Sequence, residues 1–468
     1  MCEKRPKEVG EWGVLKVSAV SWDKFNPHEN KALPIGLEPR PEHETKAGDF
    51  LMSRANTSNL VGKSVIVENT PERLLLSDKL LRVSFSALTD KIFFNLYNNS
   101  LAARDYYSKK ASGTSTSMRN ISRGQILDMP IPIPPLTEQK HIVAKVDQLM
   151  ALCDELEARQ QKRREGCVRL NNAAIEQFLT TREPHDFSKH WQCICDNFDL
   201  LYSAPENIGK LRQAILQLAV QGKLVPQDSN DEPASVLLEK IKAEKERLIK
   251  EGKMKREKPL SPIEVDELPF ELSESWKWVR MQEIFSVITD GDHQPPPKTE
   301  SGIPFLVIGN VREGVLNFTN TRFVSEEYFL SIDESRTPRR GDILYTVVGS
   351  YGIPIIVDTA QLFCVQRHIA ILKPSKLLEV GYLNYLLKSD IVFAQATKYA
   401  TGIAQKTVPL NGLRKIIVPL PPAEEQKRIA SKVNQLLVLC DELEAKLIQS
   451  QTDSEKLMDA AVRQFLMV

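Results

Sequence analysis

The chain has 468 residues, of which 42% are hydrophobic and 26% charged, and its formal net charge is +1. This composition is typical of a globular protein of two to four domains and excludes disordered or collagen-like chains. No secretory signal follows the N-terminal methionine, no apolar run approaches the roughly 18 residues of a membrane span, and the seven cysteines lack disulfide or zinc spacing, so we expect a cytoplasmic protein without a metal.

Residues 1–131 have the pattern of a mixed domain rich in short strands. Runs of Val, Ile and Phe, such as GVLKVSAV at 13–20, are broken by Gly, Asn and Pro, which is typical of strands joined by turns. Two polar stretches interrupt these runs, SRANTSNLVG at 53–62 and SGTSTSMRNIS at 112–122. We therefore expect a first domain over residues 1–131 that carries polar loops.

Residues 132–182 predict one long helix. PIPPLTEQ at 132–139 places a proline pair just before a helix start, and proline is excluded from helix interiors. Beyond this point, apolar or small side chains keep the spacing of a heptad seam. The seam residues are Ile142, Val146, Leu149, Cys153 and Leu156. A helix of about 43 residues would be roughly 64 Å long, which is too long to pack around one small domain.

Residues 183–267 predict a helical connector. LRQAILQLAVQGKLVPQ at 211–227 and the highly charged stretch 231–258 both have helical patterns. The charged helix is either a solvated surface or a surface for phosphate or a partner. Pro259, Pro262 and Pro269 mark the boundary of the following domain.

Residues 268–418 predict a second mixed domain that corresponds to the first. Gly48-Asp49-Phe50-Leu51 matches Gly341-Asp342-Ile343-Leu344, and stretch 58–67 parallels 349–357. The strand at 13–20 matches 304–311, which leaves roughly the first 36 residues of the second domain without a counterpart. We therefore expect the first domain to be either amino-terminally short or more compact, and a shortened first domain would fold or read a ligand poorly.

Residues 419–468 predict a second long helix that repeats the first. Residues 419–466 align with 132–179 at a constant offset of 287, without a gap, and half of the aligned positions are identical. LCDELEA occurs whole in both copies, at 152–158 and 439–445. Two heptad helices in one chain most simply pair with each other, so we expect an antiparallel coiled coil with a domain at each end.

These residues resemble a known family, the specificity subunit of type I restriction-modification systems. The resemblance covers nearly the whole chain and rests on the repeated helices, the two polar stretches, LAVQGKLVPQDSNDEPASVLLEKI at 218–241 and the DGDHQPPP loop at 290–297. It implies an α+β fold in which two mixed α/β target-recognition domains are separated by an antiparallel coiled coil, with a pseudo-two-fold repeat. It also implies partners: double-stranded DNA, two modification (methyltransferase) subunits and restriction (motor-nuclease) subunits.

Polar loop side chains are the candidates for DNA contacts, since Arg, Lys, Asn and Gln read base edges and Ser and Thr contact phosphates. In the first domain the candidates are Arg54, Asn56, Thr57, Ser58, Asn59, Lys63, Ser115, Ser117, Arg119 and Asn120. In the second domain they are His293, Gln294, Lys298, Ser350, Tyr351, Gln405 and Lys406.

The heptad helices are the candidate surface for the modification subunits, because such helices with charged flanks commonly bind other helices. The candidate partner-binding residues are Leu149, Leu152, Glu155, Leu156, Leu436, Leu439, Glu442 and Leu443.

The sequence lacks the usual catalytic signatures. Gly62-Lys63-Ser64 resembles the end of a nucleotide-binding loop, but Thr57 occupies the position of its first glycine. The Asn or Asp-Pro-Pro-aromatic signature of adenine methyltransferases and the histidine clusters of metal sites are missing, so we expect no catalytic residue and no cofactor. Two alternatives stay open: a shortened or silent copy that assembles without complete DNA recognition, and a stand-alone DNA methyltransferase or nuclease with an unrecognised site.

Overall fold

The computed structural model describes residues 2–21, 24–115, 118–181, 184–252, 254–292, 296–311, 314–403 and 405–466. The chain divides into two compact units, residues 1–161 (unit 1) and 162–468 (unit 2), and the boundary lies within a continuous helix. No helix in the described ranges combines the length and the apolar composition needed to cross a membrane.

Unit 1 is built around two three-stranded sheets, ordered β5-β3-β7 and β2-β1-β6, with a small third sheet, β4-β9-β8. Its strands are β1 (Gly13–Leu15), β2 (Asn30–Ala32), β3 (Phe50–Ser53), β4 (Ala55–Asn56), β5 (Ser64–Ile66), β6 (Leu74–Leu75), β7 (Leu80–Val83), β8 (Ser112–Ser115) and β9 (Met118–Asn120). Its helices are α1 (Lys91–Asn99), α2 (Leu101–Lys110) and α3 (Arg123–Leu127), and α4 (Leu136–Thr180) begins here and ends in unit 2.

Alternate residues of β3 enter two different cores, as the two-residue period of a strand requires. Leu51 packs into a cluster with Leu15 and Leu74 of the second sheet. Phe50 and Met52 point the other way, into a cluster with Tyr107 of α2. The central strand is buried on both faces, which explains why its sequence is continuously apolar.

Unit 2 contains a four-stranded sheet ordered β11-β17-β14-β15, a three-stranded sheet ordered β13-β12-β16 and the pair β10-β18. Its strands are β10 (Lys277–Arg280), β11 (Phe285–Asp290), β12 (Ile303–Leu306), β13 (Arg322–Val324), β14 (Ile343–Thr346), β15 (Pro354–Ile356), β16 (Cys364–Val365), β17 (Ile369–Pro374) and β18 (Ile417–Leu420). Its helices are α5 (Pro184–Asp196), α6 (Phe198–Leu201), α7 (Glu206–Val220), α8 (Ala234–Lys250), α9 (Met281–Ile284), α10 (Glu326–Ser331), α11 (Val380–Lys388), α12 (Asp390–Tyr399), α13 (Leu410–Lys415) and α14 (Ala423–Leu466).

The two units repeat one topology. The sheet β5-β3-β7 corresponds to β15-β14-β17, and β2-β1-β6 corresponds to β13-β12-β16, with the same parallel and antiparallel pairings. Helices α1 and α2 follow β7 as α11 and α12 follow β17. Segment 277–290, which forms β10, α9 and β11, has no counterpart among the described residues of unit 1. This is the difference in length that the sequence indicated.

The long helices begin at the same joint in both units. The side chain of Gln139 donates to the carbonyl oxygen of Pro134 at 2.9 Å and accepts from the backbone N–H of Asp90 at 2.8 Å. Gln426 makes the equivalent bonds, to the carbonyl of Pro421 at 2.9 Å and from the N–H of Glu379 at 3.0 Å. Both amides are fully buried, so the repeated Pro-Pro and Glu-Gln residues fasten each long helix to its own domain.

The expected mixed α/β fold with two domains, two long helices and an internal repeat is confirmed. The helices cover Leu136–Thr180 and Ala423–Leu466, close to the expected ranges. Pairing of these helices as an antiparallel coiled coil stays a prediction, and so does the division into five segments at 131, 182, 267 and 418.

Candidate nucleic-acid interface

Four polar loops meet at one end of the large sheet in unit 2. The backbone N–H of Arg367 donates to the carbonyl of Asp292 at 3.0 Å, and the N–H of Val347 donates to the carbonyl of His368 at 3.0 Å. The N–H of Gly349 donates to the carbonyl of Lys406 at 2.9 Å. These main-chain bonds join the segments 290–292, 347–352, 365–368 and the described residues of 401–407 into one surface, which we call the unit 2 loop cluster.

The DGD turn of this cluster is held tightly against β16. A Cβ added to Gly291 would lie 1.9 Å from the carbonyl oxygen of Val365, so only glycine fits there. The carboxylates on either side of Gly291 form hydrogen bonds that hold the turn in place. Asp290 accepts from Arg336 at 3.3 Å, and Asp292 accepts from the hydroxyl of Tyr328. The DGD turn, which forms the first three residues of the DGDHQPPP loop, therefore has a fixed backbone.

The structure brings several predicted DNA-binding residues of unit 2 together. Ser350, Gln405 and Lys406 are exposed side by side in the loop cluster. Tyr351 is half-buried, because its ring stacks on Phe393 with centroids 5.5 Å apart and its hydroxyl lies 3.0 Å from that of Thr397.

Lys298 is exposed but separate from the cluster. It precedes Thr299, which bridges to Phe323 on the outer strand of the second sheet. His293 and Gln294 lie outside the described residues.

Sequence reasoning missed three polar residues of this cluster: Gln366, Arg367 and His368. They form the turn between β16 and β17, and the Arg367 side chain is exposed. Burial, and secondarily the charge of Arg367, lowers the pKa of His368 and favours its neutral form. The sequence does contain a signal for this turn: the polar triplet QRH lies between the apolar runs FCV and IAIL, and two apolar runs separated by polar residues predict two strands joined by a turn.

Unit 1 presents the equivalent loops at the equivalent sheet end. Strand β4 pairs with β9, so that Ala55 lies opposite Asn120 and Asn56 opposite Arg119. The backbone N–H of Arg54 donates to the carbonyl of Lys79 at 2.8 Å, which joins the turn before β7 to the same surface. The segments 54–60, 77–79 and the described residues of 112–120 in unit 1 thus correspond to 347–352, 366–368 and the described residues of 401–407 in unit 2.

The predicted DNA-binding residues of unit 1 differ in their exposure and in their hydrogen bonds. Arg54, Thr57, Asn59 and Asn120 are exposed, and Ser58 and Lys63 are half-buried. The side-chain amide of Asn56 donates to the hydroxyl of Ser21 at 2.9 Å, and its oxygen accepts from the backbone N–H of Thr57.

The guanidinium of Arg119 donates to the carbonyls of Gly113 at 3.0 Å and Ala111 at 2.5 Å, so it supports the hairpin. The side chain of Ser115 and the whole of Ser117 lie outside the described residues.

The described residues contain no group of three or more His, Cys, Asp or Glu side chains placed to hold a metal ion. What the two surfaces offer is hydrogen-bond donors and positive charge on loops that the sheets hold in place. Such surfaces suit polyanion backbones and base edges.

Comparison with known proteins agrees with this geometry. The family model for the type I restriction modification DNA specificity domain matches residues 42–164 and 273–450. Among curated proteins, the chain is 30% identical over 358 residues to the type I restriction enzyme EcoAI specificity subunit of Escherichia coli, which covers 74% of this chain and 59% of that protein. It is 31% identical over 364 residues to the EcoEI specificity subunit of Escherichia coli, covering 74% and 60%. The chain therefore matches about three fifths of the length of these relatives.

Among solved structures, the fold is similar to a chain from a study of complex assembly and conformational transition of the type I R-M system. The TM-score is 0.50 at 17% identity, over 98% of this chain and 93% of that one. This likeness concerns the fold alone.

Proposed function

Because the chain belongs to the family of type I restriction-modification DNA specificity domains, we propose that it is a DNA-specificity subunit that reads a two-part target, one half-site with each unit. The observation that carries this proposal is the repetition of the loop cluster. Each unit presents three corresponding polar loops at the same end of the same sheet. Two copies of one reading surface in one chain suit a target with two half-sites.

In unit 2 the reading surface is the loop cluster that contains Arg367, Gln405 and Lys406. Arginine pairs with guanine through two hydrogen bonds, glutamine with adenine, and lysine with phosphate or guanine. In unit 1 the exposed Arg54, Thr57 and Asn59 occupy the corresponding surface.

The same proposal includes a scaffold role for the long helices. On α4, Leu149, Leu152 and Leu156 are about half exposed, and Glu155 pairs with Arg159 of its own helix at 2.5 Å. Of the α14 candidates, Leu439 and Glu442 are exposed, while Leu436 and Leu443 are half-buried on the core of unit 2. These exposed faces are where we place the modification subunits, and restriction subunits would join that complex. Catalysis then belongs to the partners, and methyl transfer by the isolated chain would contradict the assignment.

One observation favours a second candidate, a copy that assembles but reads incompletely. Unit 1 lacks a counterpart of β10, α9 and β11 among its described residues, so its main sheet has three strands where that of unit 2 has four. A less supported sheet would hold its loops less firmly. This candidate predicts one functional half-site, read by unit 2.

Binding of duplex DNA by the full chain tests the proposal. Bound sequences are selected from a randomised duplex, and Arg367→Ala is then titrated against the selected site. We expect a loss of about 1–3 kcal/mol and relaxed choice at one base pair of one half-site. Lys376→Ala is the matched control, since Lys376 is an exposed cation that follows the other end of β17. Equal effects of the two variants would contradict the placement of the reading surface.

A further inference from the structure

The charged segment that begins with α8 has no role in the function proposed above. Its sequence is compatible with a solvated surface or with a surface for phosphate or a partner. In the structure, the cations within α8 have partners, whereas those that follow do not. We call residues 250–258, which begin at the last residue of α8, the basic stretch; within it, Lys253 lies outside the described residues.

Helix α8 is fastened to unit 2, and its own cations are compensated. Leu237 and Ile241 lie in the core. The side chain of Lys245 donates to the carbonyls of Gln282 at 2.5 Å and Phe285 at 2.9 Å. The other cations before the basic stretch pair with glutamates: Lys240 with Glu232 at 2.7 Å, Lys242 with Glu283 at 3.9 Å and Arg247 with Glu251 at 3.7 Å. The helix therefore carries little uncompensated positive charge.

The basic stretch has a surplus of positive charge. Its two acidic residues pair with arginines outside it, Glu251 with Arg247 at 3.7 Å and Glu257 with Arg414 at 3.0 Å. Its exposed cations form no ion pair with any residue in the described ranges: Lys250, Lys255, Arg256 and Lys258. A group of cations without acidic partners attracts polyanions.

Hydrogen bonds fix the path of the basic stretch, although its described residues beyond α8 form neither helix nor strand. The guanidinium of Arg414 donates to Glu257 at 3.0 Å and to the carbonyl of Ile288 on β11 at 2.5 Å. The side chain of Gln282 donates to the carbonyl of Lys258 at 3.0 Å. The cations therefore project from a backbone that is already in place, which reduces the entropy lost when they bind a ligand.

The basic stretch lies beside the strand that leads into the unit 2 loop cluster. Ile288, whose carbonyl accepts from Arg414, is two residues before Asp290, the first residue of the cluster. Two residues of a strand span about 7 Å. The point at which the basic stretch is fastened is therefore close to the reading surface.

Lys255 lies on the same side of unit 2 as the DGD turn. Hydrogen bonds from Ser335 lower the pKa of Asp333, and the charges of Lys255 and Arg336 lower it further. Arg336 in turn donates to Asp290 at 3.3 Å. The charges of the basic stretch thus reach the residues that support the loop cluster.

We propose that the basic stretch binds the phosphate backbone of duplex DNA immediately outside the base pairs that the unit 2 loop cluster reads. This inference rests on the proposed function and adds a second surface, which contributes affinity without choosing a sequence. Lysine and arginine side chains neutralise phosphates, whereas sequence is read at base edges in a groove. An acidic protein would also suit such a surface, but its position beside the reading loops favours the same duplex.

The full chain with Lys255→Gln, Arg256→Gln and Lys258→Gln combined tests the proposal. Its affinity for the duplex selected from randomised DNA is measured by fluorescence anisotropy between about 50 and about 200 mM salt. Each lost phosphate contact lowers the slope of log affinity against log salt by about 0.9, so we expect a slope smaller by about 2–3 and binding about tenfold weaker at the lower salt concentration. The preferred base at each position should not change.

Lys376→Gln, Lys432→Gln and Lys446→Gln combined form the matched control, since they remove the same charge from exposed cations elsewhere on unit 2. The control should keep the wild-type salt slope. Both variants should keep the wild-type thermal unfolding midpoint, because all six side chains are exposed. Equal changes of slope in the two variants would show an effect of net charge alone and would overturn the inference.

Neutral methylphosphonate linkages, placed one at a time along the selected duplex, locate the contact. Linkages just outside the half-site that Arg367→Ala identifies should weaken binding by the wild-type chain but not by the variant with the altered basic stretch. An unchanged salt slope in that variant, or equal losses for both proteins at these linkages, would overturn the inference and leave the proposed function intact. If the full chain bound no duplex, the proposed function and this inference would both be wrong.

Discussion

Gln139 and Gln426 explain why the helix starts are so similar in sequence. Each side chain joins a proline carbonyl before the long helix to the backbone N–H of the residue that precedes a helix of the domain, Asp90 before α1 or Glu379 before α11. Both amides are fully buried, and a buried N–H that loses its acceptor keeps the whole desolvation cost. The glutamines therefore set the direction in which each long helix leaves its domain.

Gln139→Ala and Gln426→Ala should each destabilise the chain by about 1–3 kcal/mol, because each change leaves a half-buried N–H and a carbonyl without their partners. Denaturant unfolding of the purified variants measures this loss. Gln160→Ala is the control, since Gln160 lies exposed on α4, and it should change stability very little. If neither Gln139→Ala nor Gln426→Ala lowered the free energy of unfolding, water would be replacing the side-chain amide.

Glu425 is a buried carboxylate whose contribution to stability depends on pH. Burial raises the pKa of Glu425, although the hydrogen bond from Trp276 and the charge of Arg428 act in the opposite direction. A group whose pKa is raised in the folded state stabilises the fold while it is protonated, and this stability is lost as the pH rises through the folded pKa. This contribution is therefore fully present below pH 4.5, the ordinary pKa of a glutamate, and is lost as the pH rises above that value.

Glu425→Gln should raise the thermal unfolding midpoint at pH 7, because the neutral amide can still accept from Trp276 and lacks the carboxyl group whose raised pKa removes stability as the pH rises. The gain should shrink as the pH falls toward 4.5, the ordinary pKa of a glutamate. Glu138→Gln, at the exposed equivalent position, should have no such effect. A pH-independent difference for Glu425→Gln would contradict this account. Melting curves between pH 4 and 8 provide the measurement.

At the scale of elements, the two long helices share a sequence but not their surroundings. Residues 149–160 of α4 are exposed, whereas the corresponding stretch of α14 packs on α7, where Arg212 contacts Asp441 at 2.6 Å and Glu444 at 2.7 Å. The heptad pattern correctly predicted both helices and their apolar stripes. It could not predict what covers a stripe, because the spacing defines an apolar face and not its partner.

At the candidate site too, the local sequence pattern predicts some features, but it does not predict which distant segments come together. The polar stretches at 53–62 and 112–122 were expected to be loops, but the structure places Ala55–Asn56 in β4, Ser112–Ser115 in β8 and Met118–Asn120 in β9, so they contribute the three strands of a small sheet. The turn Gln366–His368 was missed although three consecutive polar residues separate two apolar runs, because β16 is only two residues long and gives a weak strand signal. That the four segments of the unit 2 loop cluster meet depends on sheet order, because the first and last segments lie more than 100 residues apart in the chain.

The central part of α4 should act as a spacer between half-sites, since α4 begins in unit 1 and ends in unit 2. Four residues inserted after Leu156 would lengthen the helix by about 6 Å with a net rotation of about 40°. The DNA rises about 3.4 Å per base pair, so the gap in the recognised sequence should grow by about two base pairs. The insertion lies in an exposed stretch and should not change the folding of either unit. A recognised motif with an unchanged gap would contradict the spacer role.

At the scale of the whole molecule, the chain is a duplicated unit of domain plus helix, and the duplication is uneven. Both copies keep the two sheets, the loops and the glutamine joint. Only unit 2 has β10, α9 and β11 within the described residues. The sequence indicated this difference through the unmatched 36 residues, but its consequence for packing became visible only from the burial of equivalent residues: Ile133 is exposed where Leu420 is buried, and Glu138 is exposed where Glu425 is buried.

The central claim is that both units read DNA. It is tested most directly by expressing the chain with a type I modification subunit in a host without DNA methylation, and mapping modified adenines by long-read sequencing. The account predicts one methylated motif made of two specific half-sites separated by a fixed number of unspecified base pairs. A motif with a single half-site, or no modification although the complex assembles, would contradict reading by both units.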